Sequence, residues 1–499
     1  MKQYSLKKTN IVDPRLIIVF CMLAAIRVFI YSSAYPFFNN VDEVSHYDMV
    51  MKYSHGHIPR SLEVILPETA ANFVMYNSPE FVTKPDEFPG KQIPQPIWKQ
   101  SREKVQPYLD KTIAIYTAAP NPESTQPPLY YMVAGMWTRF GSRFGLNGAW
   151  LLYWIRFLNT ILAALIVWIA YITALKLFPE NRFIVLGVPL LAAFLPQDAF
   201  YSIQSDVLSP VCFGLAFIGM IEFTRADVIG KRQGILAGLA VAATVLVKTS
   251  NIVLIAVVIF ALLYKVYLLI RTKKLVPSAV TIGLFLFCIF VPLIAWYSWN
   301  FFNSGDWTGS ESKIRLMGWT HKSLLLCFSH PIFTLNGLRI FWTLLMNSFW
   351  HGEITWYRTQ MGIPLTINFY WLSSVILIAW SLIRIRHKAN TLQQNITWLA
   401  FGSFISLVLF LAVLSVSFDF GNCFYPSNFF PFFVSGRLIS AALIPFLLLY
   451  MQGLNRAFSW IKNENYRIIV LVILVLFITI TEIIFRWNVF FSNYNLFHL

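Results

Sequence analysis

"LLYWIRFLNTILAALIVWIAYITALKLF", residues 151–178, decides what kind of chain this is: its 28 residues hold only two charges, Arg156 and Lys176. A bilayer core needs about 20 predominantly apolar residues in helical form. "NYRIIVLVILVLFITITEIIF", residues 465–485, has the same character. Over 499 residues the chain is 57% hydrophobic and 12% charged, against about 25% charged in soluble domains. The sequence therefore reads as an all-α polytopic membrane protein, a single transmembrane domain spanning 1–499.

Hydrophobicity places spans near 16–36, 150–178, 183–200, 202–222, 234–247, 251–270, 276–300, 365–383, 396–418, 436–452 and 468–488, about eleven in all. The formal charge of +16 collects in alternate turns: Lys7 and Lys8; Lys176 and Arg182; Arg225, Lys231 and Arg232; Arg271, Lys273 and Lys274; Arg384, Arg386 and Lys388; Arg456, Lys462 and Arg467. By the positive-inside rule those turns and the N-terminus are cytoplasmic, and an odd number of spans puts the C-terminus outside. The basic balance is thus a topology signal, and no nucleic-acid partner is implied.

This topology leaves two large extracytoplasmic loops, 37–149 and 301–364. The first holds twelve of the 25 prolines, with ten Lys/Arg against eleven Asp/Glu. Prolines at that density favour short helices, and "EVSHYDMVMKY" and "PPLYYMVAGMWTRF" read as interfacial helices lying along the membrane face. The five cysteines lack metal-ligand spacing. Cys327 and Cys423 both fall in outer segments, where a disulfide is one option.

The polar residues of interest lie at the outer rim. "VDEVSHYD" places Asp42 four residues before His46, on one helix face with Glu43 beside them. Partly desolvated carboxylates there suit a general base, or a divalent metal such as Mg or Mn held by Asp42 and Glu43. They suit an acidic helix start equally well. Asp198 and Asp206 stand near the outer ends of neighbouring spans, where a carboxylate is expensive unless it faces a cavity. Lys248 and Arg437 are isolated cations at the same level, fit for a lipid phosphate or for snorkelling. "FWHGEITWYR" sets Trp350 and His351 beside Glu353, a grouping that suits a sugar ring or an interfacial aromatic belt.

Taken in order, Asp42-Glu43-Val-Ser-His46, Gln126-Pro-Pro-Leu-Tyr130-Tyr131, Ser205-Asp206, Lys248 and Gly436-Arg437 resemble the motifs of GT-C integral-membrane glycosyltransferases. More narrowly, they resemble a bacterial family of predicted membrane proteins of unknown function. The resemblance runs from about residue 16 to 455. It departs from the family pattern at Leu438, where a tyrosine is usual, and at Ser205. It implies a GT-C-like fold in a bacterial inner membrane and transfer of a sugar from a polyprenyl-phosphate donor to a glycan, lipid or protein acceptor on the outer face. Asp42 would act as general base or metal ligand, with Glu43 and His46 in support. Lys248 and Arg437 would hold the donor phosphate, and Gln126, Tyr130, Asp206, Trp350, His351 and Glu353 would contact substrate. The competing class is a transporter or flippase of a lipid-linked glycan. Such proteins usually need ionisable groups near mid-membrane, and here only Arg27 and Glu482 lie clearly inside spans while the charged clusters gather at the outer rim, which favours surface chemistry.

Overall fold

A computed structural model describes residues 12–383, 391–421, 423 and 425–497. The basic turn residues Lys7, Lys8, Arg384, Arg386 and Lys388 lie outside the described residues. Helix occupies at least part of each of the eleven hydrophobic segments, but two of them, over 183–200 and 234–247, are not long and apolar enough to count as spans, and the chain is an all-α polytopic membrane protein. Among the described residues nine helices are long and apolar enough to cross a membrane.

The helices are α1 (Pro14–Ala34), α2 (Glu43–Ser54), α3 (Pro67–Tyr76), α4 (Arg102–Thr117), α5 (Leu129–Arg143), α6 (Gly148–Leu177), α7 (Arg182–Ala193), α8 (Ser209–Arg225) and α9 (Lys231–Val247). They continue as α10 (Val253–Arg271), α11 (Leu275–Ser304), α12 (Ser310–Leu316), α13 (Leu324–Phe328), α14 (Leu335–His351), α15 (Pro364–Ile383), α16 (Thr391–Ser417), α17 (Leu443–Ala457) and α18 (Glu464–Arg486). Local chemistry sets their ends. Asp13 caps α1 by accepting from the Arg15 N–H at 2.9 Å, and Pro14 occupies the first turn, where its missing N–H costs nothing.

The most apolar window of the segment containing α17 is 89% buried, whereas those of α10, α11 and α18 are only 28% buried. The first is therefore the centre of the bundle, and the others present apolar faces to lipid. α6 packs against α1, α5, α7 and α8. Its 30 residues reach about 45 Å at 1.5 Å each.

The sequence predicts a span over 183–200, but α7 stops at Ala193 after 12 residues. Pro196 follows, and the chain turns through a short 3₁₀ segment at Asp198–Tyr201. The freed carbonyls are not abandoned. Arg27 Nε donates to Ala193 O at 3.0 Å and Arg486 Nη2 to Pro196 O at 2.5 Å. Irregular backbone at membrane depth is tolerable when it is satisfied by protein in this way.

Both large loops gather at one end of the bundle and knit together. Thr125 Oγ1 donates to Gly309 O at 2.6 Å, and Tyr357 N to Glu80 O at 2.7 Å. Arg358 pairs with Glu87 at 2.7 Å. α5 buries Tyr130, Tyr131, Ala134 and Gly135 while Met132, Met136 and Phe140 stay exposed, an amphipathic arrangement. Gly135 lets α5 approach the end of α2, because a Cβ there would lie 2.9 Å from Ser54 N. At the opposite end basic turn residues pair locally, as Lys176 does with Glu222 at 2.6 Å. All five cysteines are free, so the Cys327–Cys423 option is not taken up.

Candidate functional site

Asp42 precedes α2 in a left-handed conformation (φ 61°) that Asp tolerates better than most residues. Its carboxylate makes no cap bond to the helix. It accepts instead from Arg437 Nη2 at 2.8 Å. Neighbouring protein would raise the Asp42 pKa by desolvation, but the Arg437 guanidinium outweighs this and holds the carboxyl below its ordinary range. The side chain stays 46% exposed, against 12% for Arg437.

Arg437 begins the 3₁₀ turn Gly436–Ala442 ahead of α17 and gathers three further segments. Its Nη1 lies 3.4 Å from Gln204 Oε1 and 3.8 Å from Asp206 Oδ2. Its Nε stands 3.6 Å from Glu353 Oε2 and 3.4 Å from Ser435 Oγ. Lys248, in extended backbone just past α9, donates to Asp206 Oδ2 at 2.6 Å. Ser435 Oγ donates to Glu353 at 2.6 Å. The cluster thus sets carboxylates Asp42, Asp206 and Glu353 against cations Lys248 and Arg437. Burial raises the Glu353 carboxyl above its ordinary value despite the pull of Arg437.

Asp198 positions Glu353. Its two carboxylate oxygens accept from Glu353 N at 3.2 Å and Ile354 N at 2.8 Å. The turn demands glycine at 352, where φ is 101° and a Cβ would sit 1.8 Å from Asp198 Oδ1. Burial lifts the Asp198 pKa to about 6, against the pull of Arg486.

His46 is wholly buried, with Nδ1 2.9 Å from Tyr131 Oη. Burial lowers its pKa to about 4, so the imidazole is neutral at pH 7. Glu123 is the strongest opposing charge on it. Glu123 is itself paired with Lys313 of α12, which joins the two large loops. Burial would raise the Glu123 pKa, yet Lys313 keeps it far below the carboxylate range.

The structure therefore draws Asp42, Asp206, Lys248, Glu353 and Arg437 into one cluster, with His46 within electrostatic reach. Tyr130 is buried in the first turn of α5, and Gln126, half-buried with its Oε1 enclosed, stands in the turn before it. It places three expected residues elsewhere. The Glu43 carboxylate is fully buried in a forked pair with Arg156 (Nε–Oε1 and Nη2–Oε2 both 2.7 Å), and accepts from the N–H groups of Phe38, Asn39 and Ile203. Arg156 also donates to Tyr35 O at 2.6 Å and Pro36 O at 2.8 Å, so the pair ties α1, α2 and α6 together. Trp350 Nε1 donates to Ser374 Oγ at 3.0 Å, and its ring stacks on Tyr370 at 4.8 Å within the bundle. His351 packs edge-on to Tyr370 and against Phe485.

An Asp42–Glu43 metal site does not fit these positions, since each carboxylate is committed to a different guanidinium. Among the described residues no three His, Cys, Asp or Glu side chains gather in a ligating group. Sequence reasoning missed Arg156, Glu123, Gln204, Lys313 and Ser435. Glu123 had one available signal, standing three residues before the Gln126-Pro-Pro motif. Lys313 had none.

Among solved structures the chain is similar to ArnT from Cupriavidus metallidurans bound to undecaprenyl phosphate, at 12% identity and a TM-score of 0.46, over 97% of this chain and 75% of that one. It is also similar to the archaeal oligosaccharyltransferase AglB from Archaeoglobus fulgidus in complex with an inhibitory peptide and a dolichol-phosphate, at 11% identity and TM-score 0.39. The apo form of the Archaeoglobus fulgidus oligosaccharyltransferase gives 12% and 0.41. The chain spans little more than half the length of the archaeal proteins, 55% and 56%. No curated protein matches the sequence. A family model matches residues 23–436, and the chain belongs to that family, described as "Predicted membrane protein (DUF2142)".

Proposed function

We propose that this protein is a membrane-embedded glycosyltransferase that moves a sugar from a polyprenyl-phosphate donor to an acceptor hydroxyl at its loop-bearing face. On this reading that face is the extracytoplasmic side of a bacterial inner membrane, with the N-terminus in the cytoplasm. The carrying observation is the Arg437 guanidinium, shared between Asp42 of the first loop and the Asp206–Lys248 pair of the bundle.

A phosphate oxyanion is a strong bidentate competitor for such a guanidinium. When the donor phosphate takes Arg437, Asp42 loses the cation that depresses its pKa and regains basicity. It then accepts the proton of the acceptor hydroxyl as that oxygen attacks the anomeric carbon. The bond from that carbon to the phosphate oxygen breaks. The departing polyprenyl phosphate keeps the electron pair, with Arg437 and Lys248 beside it. One displacement inverts the anomeric centre. Asp206 and Glu353 hold the two cations in place, and no step needs a metal at Asp42. The acceptor is a hydroxyl of a glycan, a lipid or a protein.

Reconstitution in liposomes with a radiolabelled polyprenyl-phosphate sugar tests the reading: label should move to acceptor in the wild type and remain on lipid with Asp42→Asn. Full activity of that variant would remove Asp42 from the role of base. One observation favours a second reading, transport of a lipid-linked glycan. Arg27 and Glu482 form an ion pair at 3.1 Å inside the bundle, with Arg486 beside it, next to the shortened α7. Translocation of intact donor without transfer, in the same liposomes, would support that alternative.

A further inference from the structure

Four buried polar atoms, three on the first large loop and one on the adjoining end of α11, have no hydrogen-bond partner among the described residues. They are His46 Nε2, Glu123 Oε2, Gln126 Oε1 and Asn300 Nδ2. Folded proteins leave few such atoms, because a buried polar group without a partner loses its water and gains nothing in return. Here they come from α2, from the turn that leads into α5 and from the C-terminal end of α11.

Each is held by built-in supports. Asn121 Nδ2 donates to Ser45 O at 2.9 Å and Asp48 Oδ2 at 2.7 Å, clamping its segment to the turn of α2 that bears His46. Asn121 Oδ1 accepts from Glu123 N at 2.8 Å. Tyr131 fixes the other nitrogen of His46. Gly309 brings Thr125 and Asn300 together: a Cβ there would lie 2.9 Å from Thr125 Cβ and 3.2 Å from Asn300 Nδ2.

The set has hydrogen-bonding capacity with little net charge. The Glu123 carboxylate is balanced by Lys313, and His46 is neutral. Glu123 and Gln126 offer acceptors, Asn300 offers a donor, and His46 Nε2 does either according to tautomer. A ring hydroxyl, which both donates and accepts, matches such a set. A uronate would set its carboxylate against Glu123, and a protonated amino sugar would meet Lys313.

We propose that His46, Glu123, Gln126 and Asn300 form the subsite for the sugar ring of the donor, and that this sugar is neutral, carrying hydroxyls but no amino or carboxylate group. The inference rests on the lipid-phosphate transferase reading above. Specificity follows because a buried polar group built for a hydroxyl is left unpaired by an analogue lacking it.

The test is lipid binding by the full-length protein in detergent, followed by thermal melting. The ligands are a short-chain polyprenyl phosphate without sugar and the same lipid carrying each of a panel of neutral hexoses, a 4-amino sugar or a uronic acid. At least one neutral hexose should tighten binding about tenfold over the sugar-free lipid, which is about 1.4 kcal/mol; the charged sugars should add nothing. Glu123→Gln, Gln126→Ala and Asn300→Ala should each lose that increment while still binding the sugar-free lipid. If Glu123→Gln fails to fold, the other two variants decide. Variants that keep the whole increment, or a preference for a charged sugar, would overturn the subsite. If the wild type ignores the sugar-free lipid altogether, the transferase reading falls and the subsite with it.

Discussion

Arg437 and Asp42 are separated by 395 residues of chain, yet a guanidinium nitrogen of one lies 2.8 Å from a carboxylate oxygen of the other. The contact links the first large loop to the start of a central helix. It also holds the Asp42 carboxyl below its ordinary range.

Because Asp42 is half exposed and contributes no helix cap, Asp42→Asn should fold normally while losing about 10²–10⁴ in transfer rate. Arg437→Lys, which keeps the charge but loses the fork, should raise donor KM more than acceptor KM. Initial rates at varied donor and acceptor concentrations, alongside melting curves, check both. Equal changes in the two KM values would argue against a phosphate at Arg437.

Lys248 and Asp206 form a buried pair at 2.6 Å, so removing Lys248 leaves Asp206 with only the longer contact to Arg437 at 3.8 Å. Lys248→Met should cost about 3–5 kcal/mol. Adding Asp206→Asn should recover most of that stability without restoring transfer. A double-mutant cycle in detergent melts measures the coupling, and simple additivity would show that the pair is weak.

Glu43 and Asp42 are neighbours with opposite expected phenotypes. Glu43→Ala leaves Arg156 buried without its carboxylate, at a cost of about 3–5 kcal/mol, and should abolish a monodisperse purified protein. Size-exclusion profiles of the two variants side by side decide this. A well-folded, inactive Glu43→Ala would return Glu43 to the chemistry.

His46 supplies a pH dependence of definite sign. Its folded pKa is about 4, whereas the unfolded chain titrates near 6.5. Between those values the unfolded state binds more protons, so stability falls as pH drops from about 6.5 toward 4 and is unaffected by this group above 7. The full effect is about 3 kcal/mol. His46→Gln should flatten that part of the stability–pH curve, and an unchanged slope would place the titration elsewhere.

Asp42, Asp206, Lys248 and Arg437 were legible in the sequence because an isolated charge at the end of an apolar span is expensive and therefore conspicuous. Nine membrane-length helices among the described residues were legible in the hydrophobic pattern, two fewer than the eleven spans expected, since lipid solvates only long apolar helices. The shortening of α7 was not legible, because it depends on Arg27 and Arg486 reaching carbonyls from distant helices. Nor could sequence distinguish Asp42 from Glu43, or Glu353 from Trp350. Asp42 sits in a left-handed conformation just before α2 whereas Glu43 is its first residue, so one carboxylate turns to Arg437 and the next to Arg156. By itself the sequence determined that the chain spans a membrane, because hydrophobicity acts position by position along it. Which carboxylate meets which cation, and that Glu123 and Lys313 stand beside His46, only the tertiary structure decided: those contacts join segments from separate loops and helices, and their partners are set by packing.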